Sequence, residues 1–130
     1  MPHCIVEHSH DLSANSLVDK VYRGAVASVL LSIEGSAIKV RSIPYSHYKT
    51  GSVDISFVHV TVRILPGRTA EQKSKLSSLV LEHVKQTVSA RCSLSVEVVD
   101  IDRDRYASIG GYFHTDRDFS FANFTPLMYF

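Results

Sequence analysis

Apolar and polar positions alternate in two registers along this chain, and the change of register marks out its elements. His3-Cys4-Ile5-Val6-Glu7 opens as a short strand rich in apolar residues, followed by the polar turn Ser9-His10-Asp11-Leu12-Ser13. Val18, Val21, Tyr22, Ala25, Val29 and Ile33 then recur at the spacing of one helix face. Asp19, Lys20, Arg23 and Ser28 fall on the other side, and Gly35 suits the helix end.

The same grammar returns about 56 residues later. Phe57-Val58-His59-Val60-Thr61-Val62-Arg63-Ile64 is a β-branched run with strong strand character, broken by Pro66-Gly67. Thr69 and Gln72 have the spacing of a capping box. Leu76, Leu79, Val80, His83, Val84, Thr87 and Val88 form the next helical stripe. The strand starts superpose, His3 over His59 and Val6 over Val62, so a β-loop-α unit is written twice.

Between the halves Ile38 to Tyr45 is extended, and Lys49-Thr50-Gly51-Ser52 marks a turn. Ser93 to Asp100 sets Leu94, Val96 and Val98 between polar residues, the pattern of a half-buried strand. Successive β-α-β crossovers require parallel strands joined right-handedly. The expected class is α/β (α+β): a two-fold β-α-β repeat with a mixed sheet and two helices on one face. One domain spans 1–130, with the first repeat and its linker over 1–52, the second over 53–100 and an aromatic-rich extension over 101–130.

In the second long strand Val58, Val60, Val62 and Ile64 should face the helices. Phe57, His59, Thr61 and Arg63 then point the other way, together with His3, Ile5 and Glu7. This mixed face suits an oligomer interface, with Glu7 and Arg63 as a candidate ion pair; a solvated sheet face is the alternative.

Composition narrows the classes of function. The 130 residues fit one compact domain, and 45% hydrophobic with 21% charged residues is ordinary for a globular protein. A net charge of +1 gives no field that would favour nucleic acid or an anionic membrane. No apolar run reaches the roughly 20 residues of a membrane span, and no secretory signal pattern opens the chain. The two cysteines, Cys4 and Cys92, read as buried reduced thiols, which suits a cytoplasmic protein.

Candidate chemistry begins at Pro2. A small second residue permits removal of Met1, which exposes a secondary amine. An α-amino group titrates near ~8, and an apolar pocket with nearby arginines lowers that value toward a competent general base. Pro2 opens directly into a strand, so its position is fixed. Arg41, on the strand after the first helix, and Arg68, at the entrance to the second, occupy matching places in the two halves. Guanidinium forks bind carboxylates bidentately, and a helix entrance favours an anion. A base flanked by two carboxylate holders suits proton transfer on a small di- or tricarboxylate.

Pro2-His3-Cys4-Ile5-Val6-Glu7, Arg41-Ser42, Phe57-Val58-His59-Val60-Thr61 and Gly67-Arg68-Thr69 resemble, in order and spacing, the 5-carboxymethyl-2-hydroxymuconate isomerases of the tautomerase superfamily. The likeness runs from Pro2 to about Asp100. It implies a homotrimer that uses neither metal nor cofactor, and an enol–keto isomerisation in the breakdown of homoprotocatechuate. It implies that Pro2 shuttles the proton, while Arg41 and Arg68 hold the substrate carboxylates and polarise the 2-hydroxy/oxo group. Ile43-Pro44 departs from the family, which has a second basic residue there and no proline, and the loop from Tyr45 to Ser52 is shorter. Both departures bear on substrate identity more than on reaction type. The enzymatic alternatives are hydration, decarboxylation or phenylpyruvate tautomerisation on the same scaffold. A non-catalytic trimeric binding protein is the alternative from another class.

Of six Phe and six Tyr, seven lie between Tyr112 and Phe130. Such a segment docks on this or a neighbouring subunit, closes over the substrate, or extends without order; docking is the favoured reading. His8 and His10 beside Asp11 lack a convincing third ligand group and read as a solvated loop. His59 reads as packed at a subunit contact, and His83 as a satisfied core residue.

Overall fold

The computed structural model describes residues 2–30 and 37–109. Within them the chain runs β1 (His3–Ser9), α1 (Ala14–Ala27), β2 (Lys39–Tyr45), β3 (Ser56–Ile64), α2 (Ala70–Lys85) and β4 (Cys92–Asp100), followed by a 3-10 turn at Arg103–Arg105. The sheet order is β2-β1-β3-β4. β1 pairs parallel with β2, and β3 parallel with β4, while β1 and β3 run antiparallel through the centre. Each β-α-β unit therefore closes on its own parallel pair, as the repeat predicts, and the halves meet along one antiparallel seam.

Period-two burial explains the layering. Cys4 and Val6 of β1 and Val58, Val60, Val62 and Ile64 of β3 are buried against the helices. Leu17, Val21 and Ala25 of α1 and Leu76, Val80 and Val84 of α2 complete the core. The Thr69–Gln72 capping box forms as expected, satisfying two backbone N–H groups at the start of α2. At the crossing of the helices, a Cβ placed on Gly24 would lie 2.7 Å from Val80 Cα, so glycine is required for this approach.

Four expectations need correction. α1 is shorter than its stripe suggested, because Ser28 is buried and not on the polar side. Its hydroxyl donates to Ala25 O (2.7 Å) and accepts from Leu30 N (3.3 Å), competing with the helical ladder. Val29 then turns left-handed, with φ 51°, and is 66% exposed instead of joining the core. Ile33 and Gly35 lie outside the described residues, as does the aromatic segment from Tyr112.

Glu7 and Arg63 do not pair. The register sets Glu7 opposite His59 and Arg63 opposite His3, four residues apart along the strand, or about 13 Å at 3.3 Å per residue. The Glu7 carboxylate accepts instead from the Tyr45 hydroxyl. His8 is not in a solvated loop: β1 continues through Ser9 and turns His8 inward, 1% exposed. Its Nδ1–H donates to Ser9 O at 2.8 Å, and among the described residues its Nε2 has no partner. His83 is satisfied through Nδ1–H to Leu79 O (2.8 Å), yet it is half-buried at the flank of α2 and not in the core.

Candidate active site

The site is built where β1 begins, β2 begins and β3 ends. Pro2 is buried, and its carbonyl accepts the Lys39 backbone N–H at 3.0 Å. The first peptide of the chain is thus held to β2 before the regular ladder starts. Pleating then sends the next side chain, His3, to the face away from the helices.

Arg41 lies on that same face, because its Cα is in register with Ile5. Its Nη1 donates to His3 Nδ1 at 3.1 Å. An arginine cannot accept, so Nδ1 carries the lone pair and the ring proton sits on Nε2. Nε2–H donates to the Tyr106 hydroxyl oxygen at 3.0 Å, and the two rings meet edge-on at 6.2 Å. Burial holds the His3 pKa below its ordinary value, and Arg41, Lys39 and Arg63 push the same way, so the imidazole is neutral at pH 7.

Arg68 approaches from the other side of the sheet. Gly67, at φ 124°, turns the chain from β3 toward α2, a conformation open to glycine. The half-buried Arg68 then donates from Nη2 to Leu30 O at 2.8 Å, tying this loop to the exit of α1. One of five guanidinium donors is thereby engaged. Arg103 braces the loop by donating to Pro66 O at 3.1 Å.

Of the three expected site residues, Pro2 and Arg41 are therefore linked through His3, and Arg68 stands at the same end of the sheet on its helix side. Among the described residues, neither arginine is ion-paired, nor are Lys39 and Arg63. This unneutralised positive charge beside the buried Pro2 is chemically suited to an anionic ligand.

The model of one family, 5-carboxymethyl-2-hydroxymuconate isomerase, matches residues 2–108, starting at Pro2 and ending just past Tyr106. The chain belongs to the 5-carboxymethyl-2-hydroxymuconate isomerase family. It is accordingly an isomerase of the tautomerase superfamily.

Solved structures carry the same fold. A 5-carboxymethyl-2-hydroxymuconate delta-isomerase superposes with a TM-score of 0.68 at 17% identity, covering 88% of this chain and 91% of that one. A 5-carboxymethyl-2-hydroxymuconate isomerase from Deinococcus radiodurans R1 gives 0.63 at 19% identity, covering 85% and 90%. A fused 4-OT protein described as a symmetric trimer gives 0.68 at 18%, covering 85% and 94%. No curated protein matches by sequence.

Two residues of this candidate site escaped the sequence reading. His3 stood on the open face as an interface residue, although its place directly after Pro2 was a usable signal. Tyr106 carried none, since 103 residues separate it from His3. His59, expected at a subunit contact, accepts from the Ser95 hydroxyl at Nδ1 (2.6 Å) and donates from Nε2 to Glu97 (3.1 Å).

Proposed function

We propose that Pro2, once Met1 is removed, is the general base of an enol–keto isomerisation on an unsaturated 2-hydroxy di- or tricarboxylate. The substrate we assign is 5-carboxymethyl-2-hydroxymuconate, in homoprotocatechuate (4-hydroxyphenylacetate) degradation. The observation that carries this reading is the burial of Pro2 at a fixed strand start among cations that, among the described residues, no carboxylate pairs with. Burial and positive neighbours both favour the neutral amine, the form that accepts a proton.

The amine takes the 2-hydroxyl proton of the dienol and returns it to a distal carbon, leaving a 2-oxo group. The reaction moves one proton and shifts the double bonds, so no net redox change occurs and no cofactor is called for. Arg41 and Arg68 bind the carboxylates and stabilise the charge that grows on the oxygens. Their placement on opposite sides of the sheet favours a homotrimer, in which the open face of one subunit packs against another and the site closes between chains.

The test follows the ultraviolet absorbance of a 2-hydroxymuconate-type dienol. Wild type should accelerate ketonisation and Pro2→Ala should not; equal rates would rule out the Pro2 mechanism. The mass of the purified protein checks the precondition, because a retained Met1 makes the Pro2 nitrogen an amide.

A further inference from the structure

We propose that His3 is a positioning residue of this isomerase: its neutral imidazole, pinned by Tyr106, aims the Arg41 guanidinium without neutralising it. The proposal rests on the reading of Arg41 as a carboxylate holder.

A long arginine side chain on an edge strand has many rotamers open to it and is not oriented by its backbone alone. An acceptor is needed to fix it. Aspartate or glutamate would do so, but their negative charge would cancel the attraction for an incoming carboxylate. A neutral imidazole nitrogen accepts the same hydrogen bond and leaves the cation intact. Here Nδ1 of His3 takes Arg41 Nη1–H at 3.1 Å, and Tyr106 takes the opposite Nε2–H at 3.0 Å. The tyrosine thereby fixes both the ring orientation and the tautomer, as a partner on the far nitrogen does for any working histidine.

The charges facing His3 all oppose its protonation: Arg41 and Lys39 from β2, the terminal amine ahead of β1, and Arg63 from β3, with Tyr106 edge-on to the ring at Nε2 and Val99 in line on β4. An imidazolium would present N–H to the Arg41 N–H and break the link. The lowered pKa of His3 places this failure below pH 6.5. The arrangement also explains why the chain turns back over the open face after the Arg103–Arg105 turn: Tyr106 completes the site from a distance in sequence.

Two measurements decide it. In the 15N spectrum of the unliganded protein at pH 7, His3 should show the Nε2–H tautomer, and its pKa should rise in Arg41→Gln. A His3 that is charged, or that carries its proton on Nδ1, overturns the proposal whatever the kinetics. In dienol ketonisation, His3→Leu should raise KM about tenfold, the worth of one charge-assisted hydrogen bond, with kcat within about threefold. His3→Asn, whose Oδ1 replaces the Nδ1 acceptor, should restore KM, and the rise of KM below pH 6.5 should vanish in that variant. If Pro2→Ala abolishes turnover and Arg41→Ala raises KM while His3→Leu keeps the wild-type KM, the positioning role is wrong. If Pro2→Ala and Arg41→Ala turn over normally, the catalytic reading is what fails, and the His3 spectrum still judges the link to Arg41.

Discussion

Gly24 of α1 rests on the backbone of Val80 in α2, with room for a hydrogen atom and none for a methyl group. The nearest atoms are main-chain, Val80 Cα and Leu79 O, so a side-chain rotation cannot relieve the clash. In Gly24→Ala the helix-propensity gain of about 1 kcal/mol is outweighed by overpacking of roughly 1–3 kcal/mol. Thermal unfolding should show a lower Tm; a Tm equal to or above wild type would mean that the helices separate freely.

Val29 supplies the opposite case. A β-branched residue at φ 51° costs of order 1–3 kcal/mol, and its side chain is mostly in solvent. Val29→Gly should remove that strain and, after the entropy of glycine is counted, raise stability by about 1 kcal/mol. Urea denaturation reads this directly, as a higher midpoint at unchanged slope.

Cys4 is fully buried, and desolvation raises its thiol pKa from 9.0 to about 11, a rise that Arg41 partly opposes. The folded state therefore holds this proton longer than the unfolded chain does. Its contribution to stability is complete below pH 9 and is lost as pH climbs toward 11. Cys4→Ala should flatten that alkaline decline. A thiol reagent at pH 8 should reach Cys92 long before Cys4, and comparable rates would contradict the burial.

Arg41 and Arg68 should differ under substitution. Arg41→Ala is expected to raise KM for the dienol tenfold or more, since a charge-assisted carboxylate contact is worth about 1.5–3 kcal/mol, and to leave the Tm nearly unchanged. Arg68→Ala should lower the Tm as well, because its guanidinium also satisfies the Leu30 carbonyl. An unchanged Tm in Arg68→Ala would show that the bond to Leu30 is without structural weight.

Much of the fold was legible because it depends on periodicity. The β-branched run at Phe57–Ile64 and the capping box at Thr69 and Gln72 act locally, and both formed where the spacing put them. The end of α1 was not legible, because it turns on a single hydroxyl, Ser28, whose burial is a tertiary matter. The inward turn of His8 was hidden for a related reason: polar identity argued for a loop, while strand pairing with β2 and β3 carried β1 one pleat further. At the site, Pro2, Arg41 and Arg68 could be chosen by type and position. The link through His3 to Tyr106 joins the two ends of the described chain, and no local pattern encodes such a contact. Pro44 also makes sense only with the sheet order known, since β2 is an edge strand and tolerates a missing donor.

The duplication of the β-α-β unit has a consequence for stoichiometry. Two strands, β1 and β3, hold equivalent places in the sheet, and each leads into a helix. The proposed base, the Pro2 nitrogen freed by removal of Met1, precedes β1; the nitrogen at Ser56, where β3 starts, is an amide within the polymer and cannot act as a base. On the proposed mechanism a doubled fold therefore bears a single reactive centre per chain, and a titration of active sites should count subunits, not repeats.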